Sequence, residues 1–391
     1  MKRVLRIALT AALAVMLAAF AIIPGFAESG SPVYSAADLF TSRDLEQSAD
    51  LSGAVTCTVV SGQDVRIDSA GVYILSGTAS GTTVYVEAGK DDKVQLVLDG
   101  LYVTNTDFPV IYVKSADKVF VTTAGDSVLS VTGAFRSDGS TGTDGVIFSK
   151  ADLTLNGTAA LEISSSENGV VGKDDLKITG GTYNIRAGSK TVEANDSIVI
   201  ADGTLNLTAG TDGLHAENSD DNAKGYIWIG GGSLTISAGD DAIHATSVVQ
   251  VDGGTVTAAA AEGIEGTYIQ LNGGTIAIRA SDDGINAARK SSAYTPTVEI
   301  NGGDITVAMG AGDTDGIDSN GNIIVNGGTV SVTGNSTFDY DGNAQYNGGT
   351  IIVNGQQVSS IPNQMMGGRG GFGGGQGGFG GQGGGRGRHG W

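Results

Sequence analysis

A Gly-Gly-Thr-like triplet that returns along the chain constrains this sequence more than any other feature. It stands at Gly180-Gly181-Thr182, Gly231-Gly232-Ser233, Gly253-Gly254-Thr255, Gly273-Gly274-Thr275, Gly302-Gly303-Asp304, Gly327-Gly328-Thr329 and Gly348-Gly349-Thr350, with Asp202-Gly203-Thr204 as a degenerate copy. Successive second glycines are 22, 29, 22, 20, 29, 25 and 21 residues apart. A period near that length, broken by insertions, marks a solenoid. Its units are strands, because apolar residues alternate with period two, as in Leu234/Ile236, Ile276/Ile278 and Val330/Val332, and helical spacing is absent. A second alternating stretch precedes each triplet (Ile227-Trp228-Ile229, Ile269-Gln270-Leu271, Val298-Glu299-Ile300), and a third short one follows it, such as Gly284-Ile285-Asn286-Ala287. Three short strands per turn of about 22 residues with no helix between them describe an all-β chain, a parallel β-helix.

The corner residue before the glycines is repeatedly Asn, at 272, 301, 326 and 347, with Asn156 in a weaker early copy. Stacked one rung apart, about 4.8 Å, their amides are expected to hydrogen-bond along the axis. The alternation extends back through Leu153-Thr154-Leu155, Val119-Phe120-Val121 and Val94–Leu98 to about Val65. The segment Ala36–Phe40 reads as a short helix capping the first rung, whose open edge would otherwise be exposed.

The two ends differ from this body. Lys2, Arg3 and Arg6 precede an apolar run from Ile7 to Ile23 and a Pro24–Ala27 tail, the pattern of a secretory signal peptide cleaved after Ala27. An uncleaved anchor is the alternative. From Gln364 to Trp391, 16 of 28 residues are Gly and no core pattern remains, which reads as a disordered Gly/Arg-rich tail. The expected organisation is therefore signal peptide 1–27, cap and linker 28–60, solenoid 61–363 and tail 364–391. The single cysteine, Cys57, permits no intramolecular disulfide, so a secreted chain of this kind needs another staple.

Charge supplies a candidate. All 42 acids lie within 28–363, against 16 of the 22 bases, and the net charge of −20 excludes a nucleic-acid-binding body. About ten residues after each triplet come Asp212-Gly213-Leu214-His215, Asp241-Ala242-Ile243-His244, Glu262-Gly263-Ile264-Glu265, Asp283-Gly284-Ile285-Asn286 and Asp315-Gly316-Ile317-Asp318, with Asp240, Asp282 and Asp313 adding further acids. In a solenoid these positions stack into columns. Two carboxylates one rung apart repel by about 0.8 kcal/mol in bulk water and several-fold more at a protein-like dielectric. Hard cations between rungs remove that penalty, and oxygen-only ligands in a flexible turn suit Ca²⁺. His215 and His244 lack a cysteine or third histidine to complete a transition-metal set and read as hydrogen-bonding residues. The competing reading is that Asp-Gly only makes a good turn.

On these Gly-Gly-Thr and Asp-Gly-Ile repeats the stretch from Ala49 to Gly355 resembles bacterial secreted carbohydrate-binding domain proteins, which are calcium-binding right-handed parallel β-helices distantly similar to family 9 pectate lyases. The lyases' Asp-Asp-x-x-Asp calcium cluster is similar to Asp282, Asp283 and Asn286, to Asp240, Asp241 and His244, and to Thr314, Asp315 and Asp318, each with one position replaced. The candidate calcium ligands are Asp212, Asp240, Asp241, Glu262, Glu265, Asp282, Asp283, Asn286, Asp313, Asp315 and Asp318. The resemblance implies a secreted or cell-surface protein that binds a cellulose- or pectin-like polysaccharide. It carries no assigned catalytic residue, no nucleic-acid partner and no membrane span once the signal is removed. Sugar faces stack on aromatic rings, and Trp228, alternating outward on its strand, offers a platform with Tyr226 and Tyr268. A calcium-dependent pectate lyase is one alternative, since Arg279, Arg289 and Lys290 flank the Asp282-Asp283 pair and elimination needs a base. A purely structural adhesin is the other.

Overall fold

A computed structural model describes residues 31–311 and 314–364. It is all-β and solenoid-like, with one four-residue helix, Ala36–Leu39, among the described residues. The strands form a 24-stranded and a 12-stranded sheet. In most turns of the chain the first two strands lie in the larger sheet and the third in the smaller, as in Asp152–Gly157, Ala160–Ser165 and Asn168–Gly172. Pairing between turns is parallel. Leu161 sits beside Tyr183, then Leu205, Leu234, Val256, Ile276, Ile305, Val330 and Ile351, and all of them are buried. Alternation thus sends one face of every strand into a continuous aliphatic core and the other outward. The C-terminal end closes with a hairpin, where Gln356–Val358 runs antiparallel to Thr350–Val353.

The triplets sit at the corner between the two strands of the larger sheet. The second glycine of each has φ between 79° and 90°, which L side chains rarely adopt. The asparagines before them form the expected amide ladder: Asn301 donates to Asn272, Asn326 to Asn301 and Asn347 to Asn326, each over 2.7 Å. Nearer the N-terminus the triplet is missing, and single long strands, Gly71–Ser80 and Lys93–Asn105, run through the corner. Strand pairing begins at Val55–Thr58, some way before the Val65 boundary read from the alternation.

The N-terminal segment departs from expectation. The helix Ala36–Leu39 does not cap the first rung. Residues 31–47 instead form a strap along the outside of the larger sheet, across the file Phe120, Thr154, Lys177, Val199, Trp228, Gln250 and Gln270. Gln270 accepts from Val33 N and donates to Ser31 O, and Gln250 does the same with both backbone groups of Tyr34. Leu39 and Phe40 pack on Trp228. Asp44, fully buried, meets Lys118 Nζ at 2.5 Å, Thr154 Oγ1 at 3.0 Å and Lys177 Nζ at 3.6 Å. Extended backbone crossing a sheet face needs polar side chains from that face to satisfy it, and the Gln, Lys and Thr of this file supply them. No helix among the described residues is long and apolar enough to cross a membrane. The signal segment and nearly all of the Gly-rich tail lie outside the described residues.

Candidate functional site

The smaller sheet carries one outward file from end to end. It runs from Arg66 through Tyr85, Tyr112 and Phe148 to Glu193, His215, His244, Glu265, Asn286, Asp318 and Asp339. Beside its acidic half lies a second file, in which the Asp241 amide donates to Asp212 Oδ1 and the Asp315 amide to Asp283 Oδ1, both at 3.2 Å, with Glu262 opposite Asp241. The two predicted columns therefore exist, side by side.

Electrostatics divides them. In the earlier half each acid meets a basic side chain. His215 Nδ1 is 2.8 Å from Asp212 Oδ2, and the His215 and His244 rings stack with centroids 4.5 Å apart. His244 Nδ1 lies 2.7 Å from Asp241 Oδ2 and 2.8 Å from Glu265 Oε2, which also takes Lys290 Nζ at 2.8 Å. Burial disfavours a charged imidazole, but those two carboxylates outweigh it and push His244 up to about 9. His244 is accordingly protonated at neutral pH when no metal is bound, and a metal ion there would have to displace that proton. The Asp241–His244–Glu265 group has metal-like spacing, and without an ion it is held together by its own ion pairs. Glu193 is held similarly, below its ordinary range, where Lys173 and Lys190 outweigh its burial.

Among the described residues the later half has no such cations. Burial, reinforced by Glu265, pushes Glu262 up to about 7, and its polar contact is the Asn286 amide at 3.1 Å. Burial, then Asp283, Asp339 and Asp315, push Asp318 up to about 7. Burial lifts Asp283 to about 6 despite the Asp315 amide. Four buried oxygens here find no hydrogen-bond partner among the described residues: Asn286 Oδ1, Thr314 Oγ1, Asp315 Oδ1 and Ser336 Oγ. Asn286 and Thr314 are only 9% and 4% exposed. Orphaned buried acceptors beside raised carboxyls are a donor set of hard oxygens.

Of the remaining predicted ligands, Asp240 and Asp282 are exposed at the strand approaches, and Asp313 lies outside the described residues. The glycines after the acids are packed rather than free: Gly263 and Gly316 lie within strands, Gly213 and Gly284 at the bend just before one, and a Cβ on Gly284 would stand 2.3 Å from Val307 Cγ1 and 2.4 Å from Gly316 O. Gly284→Ala is expected to destabilise the fold by about 1–3 kcal/mol through overpacking, read as a lower denaturation midpoint. An unchanged midpoint would show that the rung relaxes around the methyl.

The proposed aromatic platform is overturned in part. Trp228 does point outward, but it is only 4% exposed beneath Leu39 and Phe40, and its Nε1 donates to Asp252. Tyr226 is covered by Tyr34, ring centroids 4.2 Å apart. Tyr268 is half-buried, its hydroxyl donating to Glu299. None of these reasons is local in sequence, since the strap comes from far upstream. A cluster that sequence reasoning passed over, Asp152, Asp174 and Asp175, lies at the start of successive strands and was visible as the Asp-Leu pairs 152–153 and 175–176. It is half-buried, and burial with Asp196 lifts Asp174 to about 6.

Fold and file together define an all-β, solenoid-like protein with one outer edge of densely stacked acids. The chain belongs to the family described as carbohydrate-binding domain-containing proteins, whose sequence model matches residues 61–314 and 265–357. A carbohydrate-binding domain-containing protein of Acetivibrio thermocellus is 36% identical over 133 residues, covering 33% of this chain and 46% of that relative. The chain thus spans less than half the length of the curated relative it matches. The solved structure of a polysaccharide lyase-like protein from C. thermocellum, a gadolinium derivative, is 31% identical with a TM-score of 0.51, covering 57% of this chain and 96% of that one.

Proposed function

We propose that this is a secreted, adhesin-like polysaccharide-binding protein, built as a right-handed parallel β-helix of roughly 22-residue rungs and stabilised by calcium. Parallel strand–crossover–strand units are right-handed in nearly all folds. Family membership supports a carbohydrate partner, which we take to be cellulose- or pectin-like, and the sequence of residues 1–27 supports export to the cell surface. One observation carries the calcium reading: Glu262, Asp283 and Asp318 are raised by burial and by neighbouring carboxylates, oxygens of Asn286, Thr314 and Asp315 are orphaned beside them, and among the described residues no cation pairs with them. Glu262, Asp283, Asn286, Asp315 and Asp318 would hold calcium, which would supply the positive charge missing there among the described residues. Asp212, Asp241 and Glu265 already meet His215, His244 and Lys290, so an ion held there would have to displace those contacts.

A non-catalytic role is favoured because three lysines near the acids are ion-paired, although Arg289, just past Asn286, is exposed. Lys290 pairs with Glu265, Lys173 and Lys190 with Glu193, and Arg279 is exposed on the larger sheet. Retention of the mature protein in gels containing cellulose or pectin tests the binding reading, and unretarded migration in every polysaccharide counts against it. Steady growth of ultraviolet absorbance from unsaturated ends, on incubation with polygalacturonate and calcium, would replace the binder with a lyase.

A further inference from the structure

The larger sheet offers a face that neither the acid ladder nor the strap uses. On the second strand of successive turns, the outward file reads Tyr102, Val128, Glu162, Asn184, Asn206 and Thr235. Two residues on, the parallel file reads Thr104, Ser130, Ser164, Arg186, Thr208 and Ser237. Tyr102 is 42% exposed, unlike Tyr226 and Trp228 under the strap. Beyond it, Val128, Glu162, Ser164, Asn184, Arg186, Asn206 and Thr208 line an open groove of about 330 Å³.

We infer that this groove and Tyr102 form the glycan-binding face, and that its ligand is a neutral, extended polysaccharide chain lying along the solenoid axis. This rests on the polysaccharide-binding reading above and names its site and substrate class. Three features select the ligand. First, charge: in a chain of net −20, these two files hold only Glu162 and Arg186, which are opposite in sign. The face neither repels a neutral polymer nor attracts an anionic one. Second, chemistry: a sugar presents a C–H face and a rim of hydroxyls, and the file presents an exposed ring followed by amide, carboxylate, guanidinium and hydroxyl groups. Asn206 Nδ2 donates to Asn184 Oδ1 at 2.8 Å, which orients both amides and leaves each with further donors and acceptors for hydroxyl pairs. Third, shape: rungs about 4.8 Å apart make the file from Tyr102 to Thr235 roughly 24 Å long, the reach of a short oligosaccharide rather than a single sugar. The strap lies on the first strand of each turn and leaves this second-strand face open.

Calorimetric titration of the mature chain tests the assignment, with cellohexaose and xylohexaose as neutral probes and hexagalacturonate in chelator as the acidic one. A neutral hexasaccharide is expected to bind. Tyr102→Ala and Asn206→Ala should each weaken that binding by about fivefold or more, with melting temperatures unchanged because both side chains are exposed, while Tyr102→Phe should retain most of the affinity. If a neutral probe binds and both alanine variants bind it equally well, the face is wrong and the polysaccharide-binding reading survives. If only hexagalacturonate binds, the neutral class is wrong. If no probe binds, the face and the functional reading fall together.

Discussion

Asp44→Ala is expected to lift the N-terminal strap off the solenoid while the body stays folded. Asp44 is fully buried, and its carboxylate answers Lys118, itself 8% exposed, together with Lys177, Thr154 and the Thr41 amide. Burial works against that charge, but the Lys118 contact, the Thr41 amide and Lys177 outweigh it and hold the carboxyl well below the usual range. Removing one member of a buried ion pair costs about 3–5 kcal/mol, because the partner is left charged and unsolvated. The strap's other holds are the glutamine contacts at Gln250 and Gln270 and the packing on Trp228. In a solenoid each turn touches only its neighbours, so the strap is the element that ties distant turns together, and it can open without unfolding them. In a Trp391→Phe background the emission of Trp228 should shift to the red and become quenchable, and protease should cut between 31 and 50. Emission unchanged from the parent, with no new cleavage, would mean that the remaining contacts hold the strap without Asp44. A carboxyl held low contributes stability above its unfolded value and loses it as pH falls through the folded one. Strong acid should therefore release the strap in the unmutated protein too.

What could be read from the sequence was whatever repeats with the turn of the chain. Alternation placed the core ladder, the glycine pairs marked a corner that needs positive φ, and identical residues at equal phase had to stack, as Asn272, Asn301, Asn326 and Asn347 do. The acid columns were visible for the same reason. Contacts that break the repeat were not visible. Asp44 finds Lys118, and Tyr34 finds Gln250, across separations no periodicity encodes. Hence Trp228 was correctly pointed outward and wrongly left uncovered. The glycines after the acids misled for a different reason. Gly after Asp is equally the mark of a turn and of a packed position with no room for Cβ, and only Val307 and the Gly316 carbonyl, from neighbouring turns, separate the two. The split of the column likewise depends on Lys290, which returns to Glu265 from the loop after Asn286.

Chelation is expected to lower the melting temperature, and by more at neutral than at acid pH. Glu262 and Asp318, at about 7, and Asp283, at about 6, are raised by burial first and by neighbouring carboxylates second, above unfolded values of about 4. A raised carboxyl favours the folded state fully below its unfolded pKa and loses that advantage as pH climbs through the folded one. The contribution of these three groups to the chelated protein's stability should thus be greatest below about pH 4 and fall away towards about pH 7. Calcium needs the same groups ionised, so its stabilisation runs the other way, reaching about 2.7 kcal/mol per site at a hundredfold excess over Kd. One substitution separates these effects. Asp283→Asn removes a crowded charge and should raise the neutral-pH melting temperature of the chelated protein, while lowering calcium content by elemental analysis and blunting the response to added calcium. Simple loss of a structural side chain would lower stability in both conditions. If Asp241→Asn abolishes the calcium response and Asp283→Asn does not, the ion belongs with His244 and Glu265. A melting curve that chelator leaves unmoved across the whole pH range would remove calcium from the account, and the repulsion among Glu262, Asp283 and Asp318 would then be relieved by shared protons alone.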